Sequence, residues 1–206
     1  MNLANKLTIS RVCMVPFYIL FMELGGFYNS IFALIVFSIA SITDFFDGQI
    51  ARKNKIVTSM GVFLDPLADK LLISAAFICF VEIKMLGISA WMVIAIITRE
   101  FLITGLRSIA AYNNVIIPAD KSGKFKTTSQ IIIIIIIMMI LIINEAFFKF
   151  VGLTPDVLKS YNYGSYATLA IIMEKTPFWA TLVIVVLTVF SGTNYIWKYR
   201  ELLSEK

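Results

Sequence analysis

The sequence predicts an all-α integral membrane protein of six transmembrane helices. Three observations carry that expectation. Of 206 residues, 59% are hydrophobic and the mean hydropathy is +0.87, above the roughly half-apolar composition of a soluble domain. Six segments come near the about 20 mostly apolar residues that a helix needs to cross a bilayer: 7–24, 28–50, 62–83, 88–111, 127–148 and 178–199. Glycines, a proline and most of the charged residues fall between these segments or at their ends.

Taken in order, the chain opens on a short amphipathic segment, 1–10, followed by Arg11 and the run "VCMVPFYILFMEL". With no clear small-residue cleavage site, this reads as a retained first span rather than a removed signal peptide. Gly25-Gly26 separates it from the second span. The second span runs into "DFFDGQIARKNKIVTSMGVFLDPLADK", residues 44–70, which leads to the third. Gly87 lies between the third and fourth spans, and Pro118, Gly123 and three lysines mark a basic loop before the fifth. The fifth contains "IIIIIIIMMILII"; β-branched residues are tolerated where lipid enforces backbone hydrogen bonding. A polar outer segment, about 149–177, joins the last two spans, and Tyr161, Tyr163 and Tyr166 suit an interfacial aromatic belt. The whole of 1–206 reads as a single six-helix membrane domain. No internal repeat is visible, which argues against an inverted-repeat transporter that uses its acids as a cation relay.

The lysines and arginines set the orientation. Lys6, Arg11, Arg52, Lys53, Lys55, Lys121, Lys124, Lys126, Lys198, Arg200 and Lys206 fall on one side, and only Lys84, Lys149, Lys159 and Lys175 on the other. The first side is expected to be cytoplasmic, with both termini and the aspartate stretch. The net charge of +5 suits an anionic membrane surface, and nucleic acid is not expected as a partner. Cys13 and Cys79 stand apart in apolar segments and read as small buried hydrophobes. With no histidine in the chain, catalysis must use carboxylates, lysines or hydroxyls.

The aspartate stretch carries the chemistry. Asp44 and Asp47, three apart, share a helix face, and Asp65 and Asp69, four apart, do the same. Two neighbouring helix ends can thus bring four carboxylates together. Such a group repels itself unless a divalent cation, or a pair, sits among them. Oxygen-only ligands point to Mg²⁺ or Mn²⁺, ions that commonly hold substrate phosphates. Gly48 and Gly61 leave room for a ligand near the backbone, Ala51 is small, and Arg52 offers a fork suited to phosphate.

These residues read D-x₂-D-G-x₂-A-R-x₈-G-x₃-D-x₃-D from Asp44 to Asp69. The pattern resembles the signature of the CDP-alcohol phosphatidyltransferase family, and the six expected spans with cytoplasmic termini resemble that family over nearly the whole chain. The resemblance implies a metal-dependent enzyme fold. Such an enzyme moves a phosphatidyl group from a CDP-linked lipid, usually CDP-diacylglycerol, to an alcohol and releases CMP. It implies metal binding by Asp44, Asp47 and Asp65, with Asp69 near the metals and acting as general base. It places Gly48, Ala51, Arg52 and Gly61 at the CDP pocket, and implies a homodimer.

The acceptor must be read elsewhere. In "TREFLITGLR", Glu100 and Arg107 are seven apart on nearly one face, with Arg99 to one side; charges inside a span are functional candidates. Lys121, Lys124 and Lys126 come to the same side. This much positive charge suits an acceptor bearing its own phosphate, such as glycerol 3-phosphate. "NKLTISR", "LDPLADKLL", "REFLITGLR" and "GKFKTTSQ" look like the bacterial phosphatidylglycerophosphate synthase branch of the family, which implies a bacterial cell membrane. In that resemblance Asn5, Thr8 and Arg11 lie near the nucleotide, although Ala4 stands where the first motif usually has proline. Cardiolipin synthase, with phosphatidylglycerol as acceptor, is the nearest alternative.

Overall fold

The structure, a computed structural model, describes residues 3–54, 59–112, 121–152 and 164–200. Within those helices the side chains at 3–7, 44–54, 59–67, 69, 111–112, 121–125, 164–167 and 169 lie outside the described residues. Among the described residues there are six α-helices and no strand. They are α1 (Leu3–Leu24), α2 (Phe27–Asn54), α3 (Ser59–Glu82), α4 (Ala90–Tyr112), α5 (Lys121–Val151) and α6 (Gly164–Lys198). A single 3₁₀ turn, Lys84–Leu86, joins α3 to α4.

The helices pack as one bundle. α1 lies against α2 and α3, α6 covers α4 and α5, and α2 also meets α5. The α1–α2 corner is tight because Gly25 and Gly26 take positive φ angles of 60° and 83°, a conformation glycine adopts without a Cβ clash. Asn29 Nδ2 donates to the Gly25 carbonyl at 2.8 Å and Gly26 N–H donates to Glu145 Oε1 at 3.2 Å. The turn is therefore tied both to its own helix and to α5. Lys149 lies 3.4 Å from the Tyr28 ring centroid at the same end, a cation–π contact.

Each helix divides into an inner and an outer face. On α2, Ala33, Phe37 and Ala40 are fully buried while Phe32, Ile35, Ile39 and Ile42 are exposed. On α5, Ile134, Ile137, Met138 and Leu141 turn inward while Ile132, Ile136, Met139 and Ile143 turn outward. At the centre Tyr18 stacks on Phe37, with ring centroids 5.9 Å apart, and its hydroxyl donates to Met138 Sδ at 3.9 Å. Exposed apolar surface this extensive belongs in lipid rather than water. Lys126–Val151 and Ala170–Lys198 are long and apolar enough to cross a membrane, with mean hydropathies of 2.9 and 1.7, and Phe27–Thr43 forms a shorter apolar helix. Among the described residues the molecule is all-helical, with an outer surface suited to a membrane.

Two elements differ from the sequence expectation. The expected loop "KSGKFK" is the first turns of α5. One glycine costs about 1 kcal/mol in a helix, and the helical path places Lys126 against Glu100 of α4. The last helix begins at Gly164 rather than near 178, with Pro177 inside it. Its early residues, "ATLAIIMEK", are good helix formers, and lipid or protein contact keeps a proline-containing helix intact where water would break it. Thr181 Oγ1 donates to the Pro177 carbonyl at 2.8 Å. So the segment 149–177 is at least partly helical at both its ends.

The inner faces admit only small residues where helices meet closely. Ala33, fully buried on α2, is such a contact. Ala33→Leu is expected to cost about 1–3 kcal/mol through overpacking, read as a lowered thermal midpoint in detergent micelles. Ile35→Leu, on the outer face of the same helix, should leave the midpoint unchanged.

Candidate active site

At the end of the bundle opposite the Gly25-Gly26 corner, five helices surround a cavity of about 130 Å³. α1 contributes Arg11, α2 Ser41, α3 Lys70 and Ser74, α4 Glu100, and α5 Thr127 and Gln130. Leu72, Ile73, Ile96 and Ile131 form its apolar wall. Along α5, Lys126 and Glu145 are 19 residues apart, which at 1.5 Å per residue separates the two ends by about 28 Å.

Glu100 is the organising group. Lys126 Nζ donates to its Oε1, Lys70 Nζ approaches Oε2 at 3.4 Å, Gln130 Nε2 donates to Oε1 at 3.5 Å, and Arg99 Nη1 lies 3.7 Å from Oε2. Three cations from α3, α4 and α5 thus share one carboxylate. Lys126 is only 3% exposed, and a charge buried that far demands a partner. Lys126 and Gln130 reach Glu100 together because they are four apart on a helix. Arg11, 2% exposed, adds a further cation to the cavity wall, and Thr8, one turn earlier on α1, is 1% exposed.

The arginines of α4 reach the other way, to α6. Arg99 Nη2 donates to Ser191 Oγ at 2.9 Å. Arg107 Nε donates to the Tyr195 hydroxyl at 3.1 Å, with its guanidinium 5.5 Å from that ring's centroid.

Of the sequence-expected residues, the structure therefore brings Arg11, Glu100 and Lys126 to one place, with Arg99 behind Glu100 and Arg107 docked on Tyr195. Lys70, Gln130 and Ser41 join them without having been singled out. The side chains of Asn5, Asp44, Asp47, Gly48, Ala51, Arg52, Gly61, Asp65, Asp69, Lys121 and Lys124 lie outside the described residues.

Helix register still relates the aspartates to the cavity. Asp44 and Asp47 are on α2, and Ser41, one turn before Asp44 on that face, lines the cavity. Asp65 and Asp69 are on α3, and Leu72 and Ile73, one turn after Asp69 on that face, also line it. Asp44, Asp47, Asp65 and Asp69 thus stand one to two turns along α2 and α3 from residues that line the cavity. A donor set made only of carboxylates at i, i+3 and i, i+4 spacing fits a hard divalent cation. These four are the residues that could hold one.

A sequence model of the CDP-alcohol phosphatidyltransferase family matches residues 1–158. A Bacillus subtilis (strain 168) protein named "CDP-diacylglycerol--glycerol-3-phosphate 3-phosphatidyltransferase" is 44% identical over 142 residues, covering 63% of this chain and 72% of the relative. A Rickettsia bellii protein of the same name is 41% identical over 130 residues, covering 63% and 71%. A rice protein named "Cardiolipin synthase (CMP-forming)" is 35% identical over 143 residues, covering 64% and 44%. The family match ends before α6, so Ser191 and Tyr195 lie beyond it.

Removing the Glu100 charge leaves Lys126 buried without its partner, a change that typically costs about 3–5 kcal/mol. Glu100→Gln is expected to lower the thermal midpoint in detergent far more than Glu23→Gln, at an exposed site on α1. Adding Lys126→Met to Glu100→Gln should recover part of the loss. Equal midpoints for the two single variants would show that the cluster contributes no stability.

Proposed function

The chain belongs to the CDP-alcohol phosphatidyltransferase family, and from that premise we propose that it transfers the phosphatidyl group of CDP-diacylglycerol to glycerol 3-phosphate, giving phosphatidylglycerol phosphate and CMP. The observation that carries the acceptor assignment is the cation-rich cavity around Glu100. Lys70 lines it, Arg99 and Lys126 stand behind its single described carboxylate, Glu100, and Arg11 lies on the neighbouring wall. A monoester phosphate, close to doubly charged at neutral pH, matches that surplus; the singly charged diester of phosphatidylglycerol needs less.

In this reading Asp44, Asp47 and Asp65 would hold Mg²⁺ or Mn²⁺, as two ions, which would supply positive charge to the lipid-linked pyrophosphate. Asn5, Thr8, Arg11, Gly48, Ala51, Arg52 and Gly61 form the CDP-lipid pocket. Bound metal would neutralise the pyrophosphate oxygens and stabilise charge on the departing CMP. The Asp69 carboxylate takes the proton from a hydroxyl of glycerol 3-phosphate. That oxygen forms the new bond to the phosphatidyl phosphorus. The phosphoanhydride bond to the CMP phosphate breaks, and the CMP oxygen leaves with the electron pair. Lys70 and Lys126, with Lys121 and Lys124 earlier on α5, hold the acceptor's phosphate, and Arg99, Glu100 and Arg107 complete that pocket. The enzyme works as a homodimer of six-span subunits in the bacterial cell membrane, with termini and active site in the cytoplasm. The rice relative's name supports the runner-up, phosphatidylglycerol as acceptor, on weaker similarity.

An acceptor panel measured by CMP release tests the assignment. With Mg²⁺ or Mn²⁺, release should depend on glycerol 3-phosphate and stop on chelation. Release with phosphatidylglycerol or serine but not glycerol 3-phosphate would overturn it. For the general base, Asp69→Asn should reduce turnover by about 10²–10⁴-fold while CDP-diacylglycerol binding persists. Near-normal turnover would remove Asp69 from that role.

A further inference from the structure

Arg99 crosses from α4 to α6 over a glycine. A Cβ built on Gly192 would stand 2.8 Å from Arg99 Cγ, 3.6 Å from its Nε and 3.8 Å from its Cδ. The first of these distances is inside the van der Waals limit. The clash falls near the root of the side chain, so a rotation at the guanidinium end cannot relieve it. Ser191, the residue before, accepts from Arg99 Nη2 at 2.9 Å, and Nη1 of the same guanidinium faces Glu100 Oε2 at 3.7 Å. The arginine is therefore a strut. Its root rests in the Gly192 notch, one nitrogen is tied to α6, and the other braces the carboxylate that holds Lys70 and Lys126 at the cavity.

From this geometry we infer that the Ser191-Gly192 step of α6 is a positioning device for acceptor binding, acting through Arg99 and Glu100 on Lys70 and Lys126. The inference rests on the proposed acceptor pocket and extends it to a helix outside the family-matched residues 1–158. Neither Ser191 nor Gly192 lines the cavity; their link to it runs through Arg99 and Glu100. Lysine at position 99 could not substitute, since a single ammonium lacks the two-sided fork that bridges Ser191 and Glu100.

The test separates positioning from loss of fold. In Gly192→Ala, the apparent KM for glycerol 3-phosphate should rise about tenfold, because a displacement on the scale of an ångström in a positioning chain costs about that or more. The KM for CDP-diacylglycerol should stay within about twofold, since only the acceptor phosphate is misplaced. Gly105→Ala on α4, where an added Cβ meets nothing within 4 Å, should behave as the unaltered enzyme. Ser191→Ala should shift the acceptor KM in the same direction, and Ser191→Thr, which keeps the hydroxyl, should restore it. Arg99→Ala should raise the acceptor KM, and adding Gly192→Ala to it should raise it no further, because coupled residues are not additive. An unchanged acceptor KM in Gly192→Ala, a fall in kcat alone, or full additivity with Arg99→Ala would each overturn the inference. Failure of the underlying reading would show in the unaltered enzyme instead, as CMP release independent of glycerol 3-phosphate.

Discussion

Three cations from three helices converge on the Glu100 carboxylate, and the arrangement of the basic end of the bundle depends on that convergence. Lys70 arrives from α3, Lys126 from α5 and Arg99 from α4 itself. In an apolar surround, each ammonium alone would be costly. Gathered on one carboxylate they become tolerable, and the helices that carry them are held in register. Gln130 strengthens the point from α5, and Arg99 passes the constraint on to α6 through Ser191. Four helices are thereby referred to one group. The opposite end is fixed by weaker means: a glycine corner, an N–H to Glu145 and a lysine over Tyr28.

The lipid surround explains why the polar groups are inside. Helix association in a bilayer gains little from apolar burial, since the lipid is as apolar as leucine; close packing and interhelical hydrogen bonds drive it instead. The exposed isoleucines and phenylalanines of α2, α5 and α6 match this inversion. Ser41, Ser74, Thr127 and Gln130 are collected around the one cavity that α1 to α5 share. Charge is then expected only where it is used. Lys70, Arg99 and Lys126 gather on Glu100 where α3, α4 and α5 meet, and Asp44, Asp47, Asp65 and Asp69 stand one to two turns along α2 and α3 from residues that line the cavity.

Much of this was legible in the sequence because it depends on local spacing. D-x₂-D and D-x₃-D fix shared helix faces whatever the tertiary structure. Gly25-Gly26 and Gly87 mark corners because positive φ is a local demand. The uniform "IIIIIIIMMILII" marks a lipid-suited helix but cannot say which isoleucines face inward; Ile134 and Ile137 do, Ile132 and Ile136 do not. Gly123 read as a loop marker because the partner that favours helix there, Glu100, lies 26 residues from Lys126 in sequence. Lys70 passed unnoticed beside Asp69 because nothing in its own neighbourhood indicates a carboxylate 30 residues on. Gly192 gave no signal, since its reason is the path of Arg99, 93 residues before it.

The division of residues between the aspartate motif and the Glu100 cluster bears on how an acceptor can be chosen. In the proposed mechanism the aspartate motif serves the CDP moiety, which is the same whichever alcohol accepts. In that mechanism selection falls to the cationic cluster, whose net charge is set by how many cations Glu100 fails to neutralise. Among the described residues one carboxylate stands against Lys70, Arg99 and Lys126, with Arg11 on the cavity wall, a surplus of positive charge. An uncharged or zwitterionic alcohol would leave that charge unmatched in a poorly hydrated cavity. The dianionic phosphate of glycerol 3-phosphate matches it while leaving its hydroxyls free. On this argument acceptor choice is a property of charge count. It should change when a cation of the Glu100 cluster is neutralised, with the aspartates untouched.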